Sequence, residues 1–436
     1  QALARDEVLP GPLRRLGRGS GPGDEPRLAT VMSMVLAIAI VSIGDLDAVA
    51  PVLTMFFLVT YAVVNLVSAA ERYLGSPSFR PTFRVHWSLS LVGGIGCVLV
   101  MFLINVRASI AAFAVVGVIW FLLDRRGTQA RFGDVRQGIW LALVRWSIGK
   151  IHPTSDPRSW RPNVLVFAGS PTKRWYLIDF GASLTSARGM LTVATVLPDN
   201  TPTARKRQLS KTVREYLEER KVKALVRVVG APNPYVGARV LVEGYGLGPL
   251  VPNTVVLGDG AGLDHPERHE FIGTIAKLHE AGRNVLVVRA PNDTTYGARR
   301  RIDLWLRSMR DNGATMLTLA TALQASRRWR RSKVTVRMVV TNEPAARTAG
   351  TNLRSLLDTA RLAADVDIVV DDRPIAEVIN ERAAGADLTM IGLPDPCTNP
   401  DDFHDRCQAT LDRVDLASPV LFVLASADVD MTEILS

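Results

Sequence analysis

The sequence predicts an α-helical membrane domain followed by a soluble α/β domain of two tandem parallel-sheet lobes. Four apolar segments within the first 123 residues come close to the roughly 17–25 residues that a helix needs to cross a bilayer. From residue 163 onward, short β-branched runs alternate with helical segments, a pattern typical of parallel sheets covered by helices on both faces. Charge follows the same division. Residues 1–123 hold no lysine, 9 Arg and 7 Asp or Glu, and the rest of the chain holds the other 43 basic and 35 acidic residues.

The four apolar segments are predicted to be membrane spans. They are Leu28–Gly44, Val49–Ala70, Ser88–Ile104 and Ala108–Leu123. The first and the last are short for a bilayer crossing. Core helices of a soluble protein are the other interpretation, but four neighbouring stretches with almost no internal charge would leave no face for water. We therefore expect four transmembrane helices and a lipid bilayer around them.

Arginines predict the orientation, because positively charged loops remain in the cytoplasm. Nine of them lie in the leader, in the loop after the second span and after the fourth span: Arg14, Arg15, Arg18, Arg27, Arg72, Arg80, Arg84, Arg125 and Arg126. The two other loops are very short. The one after the first span carries Asp45 and Asp47, and the one after the third span carries only Arg107. The leader, the middle loop and the whole soluble part are thus expected in the cytoplasm of a multi-pass cell-membrane protein. This location accounts for the net charge of +10, and no interleaving of aromatic and basic residues suggests nucleic acid as a partner.

The predicted domain borders follow these changes in pattern. Residues 1–27 form a leader, 28–123 hold the four spans, 124–162 are a linker, 163–290 form lobe 1 and 291–436 form lobe 2. Strands are predicted at Asn163–Ala168, Leu191–Val196, Ala224–Val229, Thr254–Gly258, Asn284–Arg289, Lys333–Thr341, Asp367–Val370, Asp387–Gly392 and Val420–Ala425. Helices are predicted at Pro202–Lys221, Val236–Gly246, Pro266–Ala281, Thr351–Ala364, Ile375–Ala384 and Phe403–Val414.

Polar and small residues inside the spans are the candidates for function there. Tyr61 and Asn65 lie one helical turn apart on one face, next to Thr60. The Tyr61 hydroxyl could donate a hydrogen bond to a desolvated anion or to a carbonyl of a neighbouring helix, and composition alone leaves both open. No Asp, Glu, Lys or His lies inside a span, so no relay of ionisable groups is expected. Glycines and alanines suit close packing with other helices or another subunit: Gly93, Gly94, Gly96, Ala111, Ala112, Ala114 and Gly117.

The soluble part shows no recognisable enzyme or cofactor motif. Gly244–Gly248 precedes a strand and is interpreted as a helix C-cap with a turn. Gly258–Gly262 follows a strand but lacks the Walker Lys-Ser/Thr and the full GxGxxG spacing, so a plain loop is expected. Ala168–Pro171 could meet an anion at a helix start, which is the less favoured interpretation. No catalytic residues are assigned, and we expect the protein not to be an enzyme.

The cysteines predict neither a disulfide framework nor a metal site. There are three, Cys97, Cys397 and Cys407. Cys397 and Cys407 bracket His404, but they are ten residues apart and have no CxxC partner. Incidental or buried thiols are favoured over ligands.

Motifs in a fixed order resemble the carboxy-terminal part of a bacterial-type cation-chloride cotransporter, the family of Na-K-Cl and K-Cl cotransporters in the amino acid-polyamine-organocation superfamily. In the membrane part, Gln1–Asp6 resembles the family's segment after the eighth span. Asp24-Glu25-Pro26 corresponds to the Asn-Glu-Pro that the family has there. Ala50-Pro51 with Phe56–Ala62 and Asn65 is similar to the tenth span. Ser76–Phe83 is similar to the loop SPGWRPxF, and Ser88–Gly93 to WLSLLG.

The soluble part carries the same resemblance. Gly246–Gly248 with Pro252–Gly258 is similar to GLGxxxPNTLVLG, and Ile302–Trp305 to IDxWW. Ala386–Pro394 is similar to the late ADLVxxxLP strand, and the closing Ser418–Val423 matches as well. Three positions depart from the family pattern: Val59 and Thr60 replace small residues before the tyrosine, and Leu306 replaces the second Trp of IDxWW.

The resemblance implies a secondary transporter that couples chloride to potassium and/or sodium, built on the inverted-repeat LeuT-like fold with broken helices. It implies that Tyr61 contributes its hydroxyl to a chloride site. The other ion ligands belong to the first, third, sixth and eighth spans, upstream of Gln1. The start at Gln1 without an initiator Met leads us to expect a fragment. The family's cytosolic part implies regulation and homodimerisation, without cofactors.

Two alternatives remain open. One is an amino-acid permease of the same superfamily. The other is a membrane-anchored regulatory protein whose lobes resemble universal stress proteins and bind a nucleotide. The stress-protein phosphate signature is absent after Gly392, which counts against the second alternative.

Overall fold

The computed structural model divides the chain into two compact units, Gln1–Lys150 and Ile151–Ser436. It describes residues 15, 17–20, 24–42, 46–75, 79, 82–83, 85–125, 135–151, 160–186, 188–260, 262–291, 296–308, 312–397 and 400–426. Most of the predicted leader, most of the Ser76–Phe83 motif, and residues 126–134 and 152–159 of the predicted linker lie outside these residues.

The named elements of the first unit are all helices. Its helices are α1 (Arg27–Ser42), α2 (Leu46–Leu74), α3 (Trp87–Ile104), α4 (Val106–Arg125) and α5 (Val135–Lys150). Two stretches are long and apolar enough to cross a membrane, Leu53–Leu74 and Trp87–Ile104. The apolar stretches of α1 and α4 are shorter. Two of the four predicted spans therefore reach spanning length among the described residues, and helix α5 occupies part of the expected linker.

Glycines allow α2 and α3 to pack closely. A Cβ atom added at Gly94 would lie 2.8 Å from Cγ of Leu66, and one added at Gly93 would lie 3.4 Å from Oδ1 of Asn65. Beside Gly96 and Gly117, in contrast, no described atom comes within 4 Å of such a Cβ. The prediction of close packing at small residues is thus confirmed at Gly94, where a Cβ atom would collide with Leu66, whereas at Gly93 it would be in ordinary van der Waals contact with Asn65.

The second unit contains one continuous ten-stranded sheet. The strands are β1 (Asn163–Phe167), β2 (Met190–Pro198), β3 (Leu225–Ala231), β4 (Thr254–Gly258), β5 (Asn284–Arg289), β6 (Arg301–Leu306), β7 (Lys333–Val340), β8 (Asp365–Val370), β9 (Leu388–Gly392) and β10 (Val420–Leu424). Their order is β3-β2-β1-β4-β5-β10-β9-β6-β7-β8. The first half (β1–β5) and the second half (β6–β10) each form a parallel sheet of the same order, and the halves are related by a pseudo-two-fold axis.

The halves join through an antiparallel pairing of β5 with β10, which we call the seam. Its register runs from Val420 opposite Arg289 to Leu424 opposite Val285. This pairing joins the two predicted tandem lobes along one edge, which the sequence analysis did not anticipate. The last strand of each half is a buried apolar run with an unpaired edge, and pairing the two edges satisfies the backbone groups of both. The two parallel sheets that the sequence predicts are therefore merged into one.

Helices cover both faces of this sheet. The first face carries α6 (Trp175–Thr185), α7 (Thr203–Glu219), α10 (Asn312–Gln324) and α11 (Glu343–Thr359). The second face carries α8 (Pro234–Gly244), α9 (His265–Glu280), α12 (Ile375–Arg382) and α13 (Pro400–Arg413). The apolar core on each face contains residues from both halves: Val164 and Val336 belong to one core, and Val255 and Phe422 belong to the other. Neither half has a core of its own.

Three elements of this unit are absent from the sequence prediction. They are strand β6, whose residues were noted only as the Ile302–Trp305 motif, and helices α6 and α10. Most residues of both helices are buried, so they lack the polar face that gives a surface helix its 3.6-residue period. Helix α11 also begins earlier than expected, because Asn342 caps it by accepting a hydrogen bond from the Ala345 amide at 2.9 Å.

Candidate functional site

Tyr61 lies in the middle of α2 with a largely exposed side chain, 57% accessible in the described structure. Its polar neighbours bond to their own helix. Thr60 donates to the Phe56 carbonyl at 2.7 Å, and Asn65 donates to the Tyr61 carbonyl at 2.9 Å. Such i to i−4 bonds satisfy a polar side chain without any ligand. Within the described residues the Tyr61 hydroxyl has no hydrogen-bond partner, so it is available to donate.

A cavity of about 480 Å³ lies at the carboxyl ends of β1 and β4. At this point the chain order reverses, because β2 pairs on one side of β1 and β4 on the other. Ligands of open α/β sheets bind in such crevices. The loops after the two strands form its walls with Gly169, in a left-handed conformation at φ 61°, and with Gly258 and Gly260.

Polar side chains from two helices and from the turn before a third line this cavity, which no sequence motif indicated. Lys173 and Arg174 precede α6, Tyr235 comes from α8 and Glu267 from α9. Burial and the acidic groups Glu267 and Glu270 raise the pKa of Tyr235, so its hydroxyl keeps its proton. The strand order is the signal that could have located the site. Ala168–Pro171 forms part of its wall, whereas the helix that follows begins only at Trp175.

The Gly258–Gly262 loop has a structural role. Its Asp259 is buried and forms ion pairs with Arg268, at 3.0 Å, and with Arg289. Arg268 also reaches Asp412 on α13 at 2.8 Å, and Arg289 donates to the Leu411 carbonyl at 2.7 Å. These contacts link the two halves beside the seam. The loop interpretation of the glycines therefore agrees with the structure, and the same holds for Gly244, where α8 ends.

The second half has an equivalent cavity of about 560 Å³ at the carboxyl ends of β6 and β9. Arg307, Arg406 and Arg413 contribute to its lining, together with Trp305 and Asp395. The equivalent positions of the two cavities follow from the shared strand order of the halves. Their linings differ, because the first mixes acidic and basic groups and the second has an excess of arginine.

Cys397, His404 and Cys407 do not come together as a ligand set in the described structure. Cys407 is fully buried in the core, and burial raises the pKa of its thiol to about 12. The His404 ring contacts that of His269 on α9, with ring centroids 3.8 Å apart and an angle of 32° between the ring planes. Cys397 is exposed. Cys97 is partly buried in α3.

Residues 174–298 match the family model described as solute carrier family 12. Among solved structures, the cytoplasmic domain of a prokaryotic cation chloride cotransporter is similar at 18% identity, covering 64% of this chain and 100% of that chain with a TM-score of 0.48. A universal stress protein from Archaeoglobus fulgidus DSM 4304 is similar at 11% identity, covering 63% of this chain and 100% of that chain with a TM-score of 0.42. A putative universal stress protein from Pseudomonas aeruginosa UCBPP-PA14 is similar at 13% identity, covering 64% and 98% with a TM-score of 0.39.

Proposed function

We propose, from the match of residues 174–298 to the model of solute carrier family 12, the cation-chloride cotransporters, that this chain belongs to that family and is the carboxy-terminal portion of a secondary transporter coupling chloride to potassium, sodium or both. The family is one of membrane transporters with a cytoplasmic carboxy-terminal domain, and it is generally not enzymatic. The α/β unit is that domain. The spanning helices before it belong to the transport domain.

The observation that carries the proposal is the family match together with the order of the motifs around it. Tyr61 adds a site-level argument. Its neighbours Thr60 and Asn65 are satisfied by their own helix, whereas the Tyr61 hydroxyl has no partner among the described residues. A phenol hydroxyl within an apolar helix is a suitable donor to a chloride ion that has lost its water shell. We therefore assign Tyr61 to a chloride site that other spans complete.

The α/β unit is proposed to serve regulation and homodimerisation. The seam pairs one edge of each half, so β3 and β8 form the outer edges of the sheet. These edges and the helix faces beside them are the surfaces available for binding a second copy of the chain. Size measurement of the detergent-solubilised chain by light scattering tests this expectation, and a monomer at all concentrations would refute it.

The decisive experiment is uptake of radioactive rubidium and chloride into proteoliposomes that contain the chain together with any upstream segment that its gene encodes. Rubidium stands in for potassium. We expect rubidium uptake that requires chloride, and its dependence on sodium separates the Na-K-Cl mode from the K-Cl mode. Protein-free vesicles give the background flux.

Rubidium uptake that ignores chloride would refute the cotransporter proposal. The amino-acid permease then becomes the next candidate, and uptake of labelled amino acids by the same proteoliposomes tests it. Absence of any flux, with correctly inserted protein, would favour a membrane-anchored regulatory protein.

A second candidate function is ligand binding in the cavity between β1 and β4. Its position at the reversal of strand order favours this role, and Lys173 and Arg174 offer positive charge for a phosphate group. Calorimetric titration of the solubilised chain with ATP tests it. Binding that Lys173→Gln weakens, while the matched surface change Lys277→Gln does not, would support a nucleotide site.

A further inference from the structure

Three side chains with metal-binding chemistry converge beside the seam. His279 lies in the last turn of α9 in the first half. Asp395 and Cys397 lie in the loop that follows β9 in the second half. A ring nitrogen of His279, a carboxylate oxygen of Asp395 and Sγ of Cys397 all lie within 4.8 Å of one another. Because the two halves of the sheet bring them together, no spacing in the sequence indicates this group.

His279 points to a ligand that completes the group. Its side chain is 4% exposed, and its Nδ1 atom is buried without a hydrogen-bond partner in the described structure. Buried polar atoms are nearly always paired, because an unpaired one loses its water without compensation. A cation bound at Nδ1 would supply the missing interaction.

The loop holds its two ligands together and leaves one accessible. The Cys397 amide donates to Oδ1 of Asp395 at 2.8 Å, which fixes both residues on one turn. Cys397 is exposed, so an ion can enter from solvent. An unliganded cysteine thiol is mostly protonated at neutral pH. Metal binding forms a metal–sulfur bond and releases that proton to water.

The chemistry of the three ligands selects the metal. Calcium and magnesium prefer oxygen ligands alone, whereas zinc accepts the combination of imidazole, carboxylate and thiolate. Tetrahedral zinc with ligand distances of 2.0–2.3 Å requires ligand atoms roughly 3.3–3.8 Å apart, so the side chains need to close by at most about 1.5 Å. A water molecule would occupy the fourth position.

We propose that His279, Asp395 and Cys397 bind one Zn²⁺ ion that ties α9 of the first half to the β9–α13 loop of the second half. The site lies entirely within the cytoplasmic α/β unit and is separate from the chloride site around Tyr61. Zinc binding is therefore a property of the α/β unit, and the proposal does not depend on the transport activity.

The test is protection of Cys397 from alkylation. The detergent-solubilised full chain is treated with iodoacetamide with and without Zn²⁺, and the modified Cys397 peptide is quantified by mass spectrometry. We expect at least tenfold slower alkylation with zinc, and no protection in His279→Asn. His404→Gln is the matched control, because it removes an imidazole from the same face of the sheet outside the group, and it should retain protection.

Metal loading gives a second readout that does not rely on folding of the histidine variant. Co²⁺ bound to the chain should produce a thiolate-to-cobalt charge-transfer absorption at one equivalent, and Cys397→Ser should abolish it while Cys97→Ser leaves it intact. Since Cys397 is exposed, its replacement does not disturb the core. Unprotected alkylation of Cys397, or unchanged cobalt absorption in Cys397→Ser, would overturn the proposal.

Discussion

At the scale of single residues, Tyr61 and Asp303 both belong to motifs that resemble the family, but their surroundings differ. Asp303 lies in the Ile302–Trp305 motif and is fully buried in β6. Its carboxylate accepts two hydrogen bonds from Arg301, at 2.7 and 2.9 Å, and lies 3.4 Å from Arg337. Arg337 in turn contacts Asp367 of β8 at 2.6 Å. This motif aspartate is thus a structural charge that is paired inside the sheet.

The resemblance to a family motif includes Asp303 but does not reveal its structural role. Its arginine partners lie on its own strand and on β7, and the sequence does not reveal that they face the same side. The charge also concealed β6 itself, since an acidic residue inside a short apolar run argues against a buried strand. Tyr61, in contrast, lies as predicted on a helix that is long and apolar enough to cross a membrane, because a long apolar helix has a regular geometry.

Removal of the Tyr61 hydroxyl is expected to weaken chloride dependence. Tyr61→Phe keeps the ring and the helix packing but deletes the donor, which costs about 0.5–1.5 kcal/mol for a neutral hydrogen bond and 1.5–3 kcal/mol for one to an anion. The chloride concentration for half-maximal rubidium uptake should therefore rise about tenfold, with normal expression. Uptake at varied chloride concentration measures it.

The matched control for this substitution is Tyr73→Phe, which removes an exposed hydroxyl near the end of the same helix. It should leave the chloride dependence as it is. An identical chloride response in Tyr61→Phe and the unaltered protein would remove Tyr61 from the site.

At the scale of elements, the predictability of the α/β unit follows from burial. Strands with continuous apolar runs, such as β4 and β5, were placed with their correct ends. Helices with one polar face, such as α7 and α9, were also found. The elements that were missed are α6, α10 and β6, whose residues lie between two layers or carry a buried charge. Prediction from hydrophobic periodicity requires one solvent-exposed face and one buried face, and these elements lack that contrast.

The contact of α9 with α13 should respond to pH. Burial lowers the pKa of His404 below its ordinary value of 6.5, and His269 and His265 lower it further while Asp405 opposes them. Because the folded chain holds a proton on His404 less strongly than the unfolded chain does, acid favours unfolding. The stability contribution is present above about pH 6.5 and is lost as the pH falls below that value.

Hydrogen exchange of the α13 peptide between pH 7.5 and 5.5 measures this effect, after correction for the intrinsic exchange rate. We expect protection to fall toward the acidic end in the unaltered chain and to change less in His404→Gln. Equal loss of protection in both proteins would show that His404 does not couple α13 to pH.

At the scale of the whole α/β unit, the seam and the shared cores predict cooperative unfolding of the two halves. Phe422 of β10 is fully buried, and the Arg289 guanidinium of β5 lies 5.2 Å from the centre of its ring. Phe422→Ala leaves a cavity in a core that belongs to both halves, at an expected cost of about 3–5 kcal/mol. Amide protection should therefore drop together in β1, β4, β6 and β9.

Hydrogen exchange with peptide resolution measures this coupling. Leu225→Ala, on the outer strand β3, is the control, since Leu225 is 56% exposed and its loss should affect only its own edge. Protection that falls in β10 and the second half alone would contradict cooperative behaviour, and would indicate two halves that unfold separately.

The joining of β5 to β10 also has a consequence during synthesis on the ribosome. About 130 residues separate the two strands, so at roughly 5–20 residues per second the first half waits about 6 to 26 seconds for its partner strand. During that time β5 is an unpaired apolar edge. An exposed edge of this kind is a template for wrong pairing. The nascent first half is therefore the form of this protein with the greatest need for a chaperone.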